Sequence, residues 1–463
     1  MDKKQLISDY IESHREEYLR DLATLIAVPS VRGETLDGAP YGEMPKKALE
    51  TALALCERYG FRTENHENYV GTASVGGEPG LDILGHLDVV GVTDSWSTDP
   101  FIMHNKEGVL YGRGVSDDKG PTLAALYGLR AVVELGLPLR SGVRVIMGTD
   151  EECGSSDIHY FYNIKKMKSA PYTFTPDASF PVYNIEKGRY APKFSKTWEP
   201  ETCEPRVIRV FGNFTTNIVP AKASAQIVGL SDQEIADLLG IRAQRLNVGF
   251  EVQDGVVTIR GVSSHASQPE QGNNALTALL VLLSSLPLAE CASTEAIVRL
   301  ISLFPHGDCH GAALGVDMKD GISGRLSLAF SKIDLNSTGV TGEFDSRVPA
   351  CATDENCRQV IERRFADAGF TSEGQMSKCH YTPADTPFVQ GLLKSYEEFT
   401  GLKGECLSMG GGTYVHEIEG GVAFGAVMPG VDTNMHGDDE NIKLDELLTA
   451  AKIFGYAISE ICG

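Results

Sequence analysis

The chain has 463 residues, with 63 Asp plus Glu against 41 Lys plus Arg and a formal net charge of −22. So acidic a surface repels phosphate backbones and anionic lipid heads, which argues against nucleic acid or a membrane as partner. The length calls for more than one core, and 42% hydrophobic with 22% charged residues is ordinary for a globular protein.

Apolar residues three and four apart predict helices over residues 3 to about 26 and 44 to 59. LDILGH (81–86) reads as a buried strand in which Gly85 leaves room for a close neighbour. PTLAALYGLRAVVELG (121–136) reads as a helix opened by Pro121 and closed near Gly136. VRVIMGTD (143–150) and YTFTPD (172–177) are apolar strands that end in polar residues. After EKGR (186–189) short alternating runs such as SAQIVGL and VVTIRGV appear, with helices such as ALTALLVLLSSL (275–286) between them. The strand–helix style returns with GVAFGAV (421–427) and a helix over about 441–461. The expected fold is α/β: a mainly parallel mixed sheet flanked by helices, formed by residues 1–188 and 381–463. A large α+β insertion over 189–380 interrupts it.

The ten cysteines are scattered and form no C-x-x-C pair, and the start MDKKQLISDYIESHREEYLR lacks the apolar stretch of a signal peptide. We therefore expect a cytoplasmic protein with reduced thiols.

In open α/β sheets, ligands sit outside the carboxyl ends of the strands. His86 and Asp88 follow one strand, and Asp117 and Asp118 of GRGVSDDKG precede a helix. Glu151 and Glu152 follow the strand at 143–149, Asp177 follows YTFTP, and His436 lies in TNMHGDDE. Singly, these read as a structural histidine, a helix cap, a solvated loop and an ordinary turn. Five strand ends that each offer an acid or an imidazole argue for one shared site. A mixed nitrogen and oxygen donor set suits zinc, manganese or cobalt. Five ligands with one shared carboxylate hold two divalent ions roughly 3.5–4 Å apart, and a water between them loses its proton near neutral pH. Neighbours in an extended chain point opposite ways, so one of Glu151 and Glu152 binds metal while the other faces the water as a base.

GHLDVV, YGRGVSDDKGP, GTDEECGSSD, TPDASFPV, NIVPAKA, GVSSHASQPE, FDSRVP, GGGTY and MHGDDE follow one another along almost the whole chain. In this order they resemble the M20 family of metallopeptidases, most of all its PepV-like bacterial dipeptidases. The resemblance implies two divalent metal ions per chain, zinc first and manganese or cobalt as alternatives. His86 and Asp177 would hold one ion, Glu152 and His436 the other, and Asp117 would bridge them, joined to Asp118 by a cis peptide. Glu151 would be the general base, and Asp88 would orient the His86 ring, since a ligating histidine works best when its other nitrogen is held.

From the insertion, His265 of SSHAS would donate to the oxyanion of the tetrahedral intermediate. Asn217 and Arg347 would bind substrate, the guanidinium pairing with a peptide's free carboxylate, and the turn at Gly411 either brings backbone amides close to that carboxylate or is simply a tight connection. Where relatives continue GGGTY with Ala-Arg, this chain has Val415-His416, so His416 either replaces the arginine's contact or marks another substrate preference.

About 190 residues lie between the two outer portions, enough for two lid subdomains; the resemblance to the dipeptidases of the family, whose single chain supplies its own lid, implies a monomer in which His265 completes the same chain's site. The expected activity is hydrolysis of dipeptides and short peptides with a free N-terminus, by attack of a metal-bridged hydroxide. The alternative is an N-acyl-amino-acid or β-alanyl-peptide amidohydrolase of the same family, and a third, non-enzymatic reading is an inactive metal-binding module.

Overall fold

The computed structural model describes residues 2–212 and 215–463. The chain divides into two compact units. One contains the chain through Ile185 with Tyr381–Leu407 and Gly412–Gly463, the other Glu186–His380 with Ser408–Gly411. Among the described residues no helix is long and apolar enough to cross a membrane.

In the first unit the strands lie in the order Arg62–His66, Val70–Val75, Gly142–Gly148, Pro79–His86, Tyr172–Thr175, Val422–Ala423, Val182–Glu186. The strands Gly142–Gly148, Pro79–His86, Tyr172–Thr175 and Val422–Ala423 run parallel, and antiparallel neighbours flank them. Gly142–Gly148 is buried throughout, and Pro79–His86 from Leu81 onward. This burial on both faces is why these strands read as unbroken apolar runs rather than alternations. The register pairs His86 with Gly148, so the segments after both strands leave from the same edge.

The helix after that edge, Lys119–Glu134, begins two residues before the position that Pro121 implied. Asp118 is its N-cap, and the Asp118 carbonyl accepts the Thr122 N–H at 2.8 Å. Pro121 then falls inside the first turn, where its missing N–H costs nothing. This helix is buried almost all round and crosses Leu444–Ile461 at two glycines. A Cβ on Gly128 would stand 2.7 Å from the Gly455 nitrogen and 2.8 Å from the Ala451 carbonyl oxygen, so only bare backbone fits.

Three expected elements differ in detail. The first helical stretch is two helices, Lys3–Ser13 and Arg15–Ile26, separated at His14. GVAFGAV breaks into Val422–Ala423 and Ala426–Val427, the second of which pairs with Ala178–Ser179. The last helix starts at Leu444, because Asn441–Lys443 is a strand paired with Val109–Tyr111.

The second unit is α+β and antiparallel. Arg206–Phe211, Lys222–Val228, Gly249–Gln253 and Val256–Arg260 form one half with the helices Asp232–Arg245 and Ala275–Leu283. Gly188–Tyr190, Lys193–Thr197, Ser327–Asn336, Gly339–Val348 and Thr371–Glu373 form the other with Ala292–Leu303 and Gln359–Asp367. The halves join where Val210 faces Leu335, giving one sheet over a shared apolar core.

Candidate metal centre

Gly85 explains how the first ligand is placed. A Cβ there would stand 1.9 Å from Thr122 Oγ1 and 2.8 Å from Asp118 Oδ2, so the helix start packs against bare strand. Asp118 Oδ2 consequently accepts the His86 N–H at 3.0 Å and the Thr122 hydroxyl at 2.7 Å. The strand end and the acidic turn are fixed to each other, and the Asp117–Asp118 peptide between the two acids is cis.

Asp117 faces both histidines. Its Oδ1 is 3.1 Å from His86 Nε2, and its Oδ2 is 2.8 Å from His436 Nε2. Asp177 Oδ2 lies 3.7 Å from His86 Nε2, and Glu152 Oε2 lies 3.2 Å from His436 Nε2. The ligand atoms thus form two groups, His86–Asp117–Asp177 and Asp117–Glu152–His436, each within 4.8 Å. One carboxylate is common to both.

Burial penalises the His86 cation, but Asp117 and Asp88 outweigh that and raise its pKa well above the usual range. Burial also works against His436, yet Asp117 and Glu152 push it up to about 11. Burial and the nearby Asp117 raise both Glu152 and Asp177. Glu151 is raised well above a normal carboxylate by burial and by the surrounding acids Asp177, Glu152 and Asp117, against the opposing pull of His86. Buried acids and imidazoles crowded together in this way form a mixed nitrogen and oxygen donor set fitted to divalent cations.

Asp88 stands beside the His86 ring and has a second set of contacts. The His86 Nδ1 contact is to the Asp88 backbone carbonyl at 3.0 Å, with the carboxylate at 3.5 Å. That carboxylate accepts the backbone N–H groups of Glu151 and Glu152, both at 3.1 Å. Glu151 and Glu152 belong to a 3-10 turn, Glu151–Cys153, rather than to extended chain. Tight turning, not strand alternation, sets their directions.

Three positioning acids were inside the quoted motifs without a role assigned to them. Glu440 is fully buried and accepts from Arg113 Nη1, from the Ser116 hydroxyl and from the backbone N–H groups of Gly114, Ser116 and Asp117, at 2.8–3.2 Å. It links the His436 loop to the Asp117 loop. Asp157, also fully buried, accepts the Thr149 and Asp150 N–H groups at 2.6 and 2.9 Å and the Tyr414 hydroxyl at 2.5 Å. Asp150 in turn pairs with Arg32. A buried carboxylate can do this only where several donors converge, and no local sequence pattern announces such convergence.

The remaining expected residues fall in two places. In the second unit, Ile218–Val219 pairs with Ser264–His265, and the Asn217 carbonyl accepts the Ala266 N–H, so Asn217 and His265 lie side by side. His265 is exposed, and its Nδ1 is 2.6 Å from Ser267 Oγ. Ser267 packs against Gly410, where a Cβ would stand 2.5 Å from its own Cβ. Arg347 donates to Asp345 Oδ1 at 2.6 Å and to the Gly410 carbonyl at 2.5 Å, while Gly411 beside it meets nothing within 4 Å of its Cβ position. The structure thus gathers Asn217, His265, Arg347 and Gly411 around one turn. His416 lies in the first unit, half-buried, in the 3-10 turn Tyr414–Glu417.

Comparison with known proteins bears on the same chain. Residues 83–460 match the model of peptidase family M20/M25/M40. The chain is 34% identical over 458 residues to the putative dipeptidase YtjP of Bacillus subtilis (strain 168), covering 96% of this chain and 97% of that protein. It is 32% identical over 462 residues to the Beta-Ala-Xaa dipeptidase of Lactobacillus delbrueckii subsp. lactis, covering 97% of each. Among solved structures it resembles human carnosine dipeptidase 1, with a TM-score of 0.61 at 15% identity over 100% of this chain and 99% of the other.

Proposed function

Because the chain belongs to peptidase family M20/M25/M40, we propose that it is a metal-dependent dipeptidase whose site is the cluster around Asp117. The observation that carries this reading is the two-sided contact of Asp117, 3.1 Å from His86 and 2.8 Å from His436. We assign His86 and Asp177 to one divalent ion, Glu152 and His436 to a second, and Asp117 to both. When bound, the ions supply Lewis acidity that activates water and polarises the scissile carbonyl; zinc is our first choice, with manganese and cobalt as alternatives.

Glu151 is the proton carrier. Its buried carboxyl, set among Asp177, Glu152 and Asp117, would take a proton from the attacking water and deliver it to the leaving amine. Asp88 fixes its turn by holding both backbone N–H groups. His265 donates to the oxygen on which charge develops. Arg347, tied to Asp345 and the Gly410–Gly411 turn, takes the free carboxylate of the peptide with help from Asn217. His416 stands close in sequence to that turn and tunes substrate preference. The residues 189–380 act as the lid that limits substrate length and excludes water.

Free dipeptides, longer peptides and N-acyl amino acids assayed side by side across added zinc, manganese and cobalt test this reading; turnover of the N-acyl substrates alone overturns it. A second reading, β-alanyl dipeptides as substrates, is favoured by the 32% identity to the Lactobacillus Beta-Ala-Xaa dipeptidase. The same panel decides between them once carnosine-type peptides are included. For His265→Gln we expect kcat to fall about 10²–10³-fold with metal content unchanged. We further propose a cytoplasmic monomer, which light scattering at twice the chain's mass would contradict.

A further inference from the structure

Beyond the peptidase chemistry, the second unit holds a pair of thiols that the catalytic reading leaves unused. Cys291 is the N-cap of the helix Ala292–Leu303, with its sulfur 3.3 Å from Ser293 Oγ and 3.3 Å from Thr294 Oγ1. The irregular segment between the strands Lys193–Thr197 and Arg206–Phe211 runs alongside and carries Cys203.

Two sets of contacts bracket the cysteines. On one side the Glu201 carboxylate accepts from the Ala292 N–H and from Ser293 through both its N–H and its hydroxyl, the last at 2.7 Å. On the other side the Pro205 carbonyl accepts the Ala289 N–H at 2.7 Å. Residue 201 thus meets 292 and 293, and 205 meets 289, as in two strands running in opposite directions. Position 203 then falls opposite 291, near enough for each thiol to shift the proton affinity of the other. Arg206 pins the loop further by donating to the Cys203 carbonyl at 2.6 Å.

The two sulfurs differ in character. Burial opposes ionisation of Cys291, but the hydroxyls of Ser293 and Thr294, the Thr294 N–H and the Cys203 thiol outweigh it and hold its pKa below the ordinary value. The start of a helix adds positive potential in the same sense. Burial and its hydrogen bond to Cys291 hold Cys203 above the ordinary value. Both are only partly buried, so a small oxidant reaches them.

We infer that Cys203 and Cys291 form a peroxide-reactive dithiol that closes into a reversible disulfide, Cys291 attacking and Cys203 resolving. The Cys291 thiolate attacks one oxygen of hydrogen peroxide, so that an S–O bond forms, the O–O bond breaks, and hydroxide leaves. Cys203 then displaces the sulfenic oxygen, an S–S bond forms, and with the protons returned two waters are released per disulfide. The thiols are oxidised and the peroxide is reduced.

Treating the reduced full-length protein with equimolar hydrogen peroxide and mapping its unreduced peptides tests this. We expect one cross-linked peptide joining Cys203 to Cys291, with two of the ten thiols lost together and restored by dithiothreitol. In Cys203→Ser, Cys291 should persist as a sulfenic acid that dimedone traps. In Cys291→Ser, oxidation of Cys203 should slow about tenfold or more, as expected when the thiolate is lost. Dipeptide turnover of the reduced variants reports their folding, since neither residue belongs to the metal centre. The inference is overturned if both cysteines stay reduced while other thiols oxidise, or if either one links to a different cysteine.

Discussion

Glu151 and Glu152 are adjacent, yet their surroundings differ. Glu152 Oε2 is 3.2 Å from His436, whereas Glu151 is raised by burial among the acids around it. Replacing Glu151 with Gln should lower kcat by about 10³-fold, within the usual range for a lost general base, while two metal ions remain bound by elemental analysis. Equal loss of metal and activity would instead make Glu151 a ligand. At this scale the sequence was informative, because each ligand lies in a short contiguous motif at a strand end. His86, Asp117, Glu152, Asp177 and His436 are brought together as that pattern implied. Glu440 escaped notice because its partners, residues 113–117, lie more than 320 positions away in the chain. The Asp88 carboxylate, 3.5 Å from the His86 ring, also accepts backbone N–H groups 63 and 64 residues on, which no local pattern announces.

Elements carry the next level of control. Glu440 couples two loops through hydrogen bonds to one side chain. Glu440→Gln keeps the size but turns one acceptor oxygen into a donor that faces N–H groups. We expect about 10–100-fold weaker metal affinity, read by competition with a chromogenic chelator, with the melting temperature of the chelated protein as the control for folding. Glycines test packing in the opposite direction. Alanine is the better helix former by about 1 kcal/mol, so Gly240→Ala, whose Cβ would meet only Phe250 Cζ at 3.9 Å, should stabilise the protein by about 0.5–1 kcal/mol in urea melts. Gly128→Ala should destabilise it by about 1–3 kcal/mol, because its Cβ meets the backbone of Ala451 and Gly455. Most elements were legible from periodicity. The exceptions are those that distant partners define: Asn441–Lys443 is a strand only because Val109–Tyr111 lies beside it, and nothing local separates it from the helix that follows.

For the whole molecule, protons and metal ions compete for one site. The acids around them raise His86 well above its ordinary value and His436 to about 11 against the opposing effect of burial, and Asp177 and Glu152 are raised as well. Ligation needs neutral imidazoles and ionised carboxylates, so loading must release protons, at least the one on His436. Affinity therefore rises with pH across pH 6–8, by about tenfold per unit for each proton released. Titration calorimetry in buffers of differing ionisation enthalpy measures the release, and a pH-independent affinity would contradict it.

The division of the chain has a further consequence during synthesis. The strand Tyr172–Thr175 pairs with Val422–Ala423, and the helix Lys119–Glu134 packs on Leu444–Ile461, both partners lying far later in the chain. At roughly 5–20 residues per second, an emerging polypeptide waits on the order of 10–60 s between making those early segments and receiving their partners. Throughout that interval a hydrophobic sheet edge stands open beside the ribosome, while the intervening residues, which have their own core, are already able to fold. Chaperones that shelter nascent chains therefore have a defined window and a defined target in this protein.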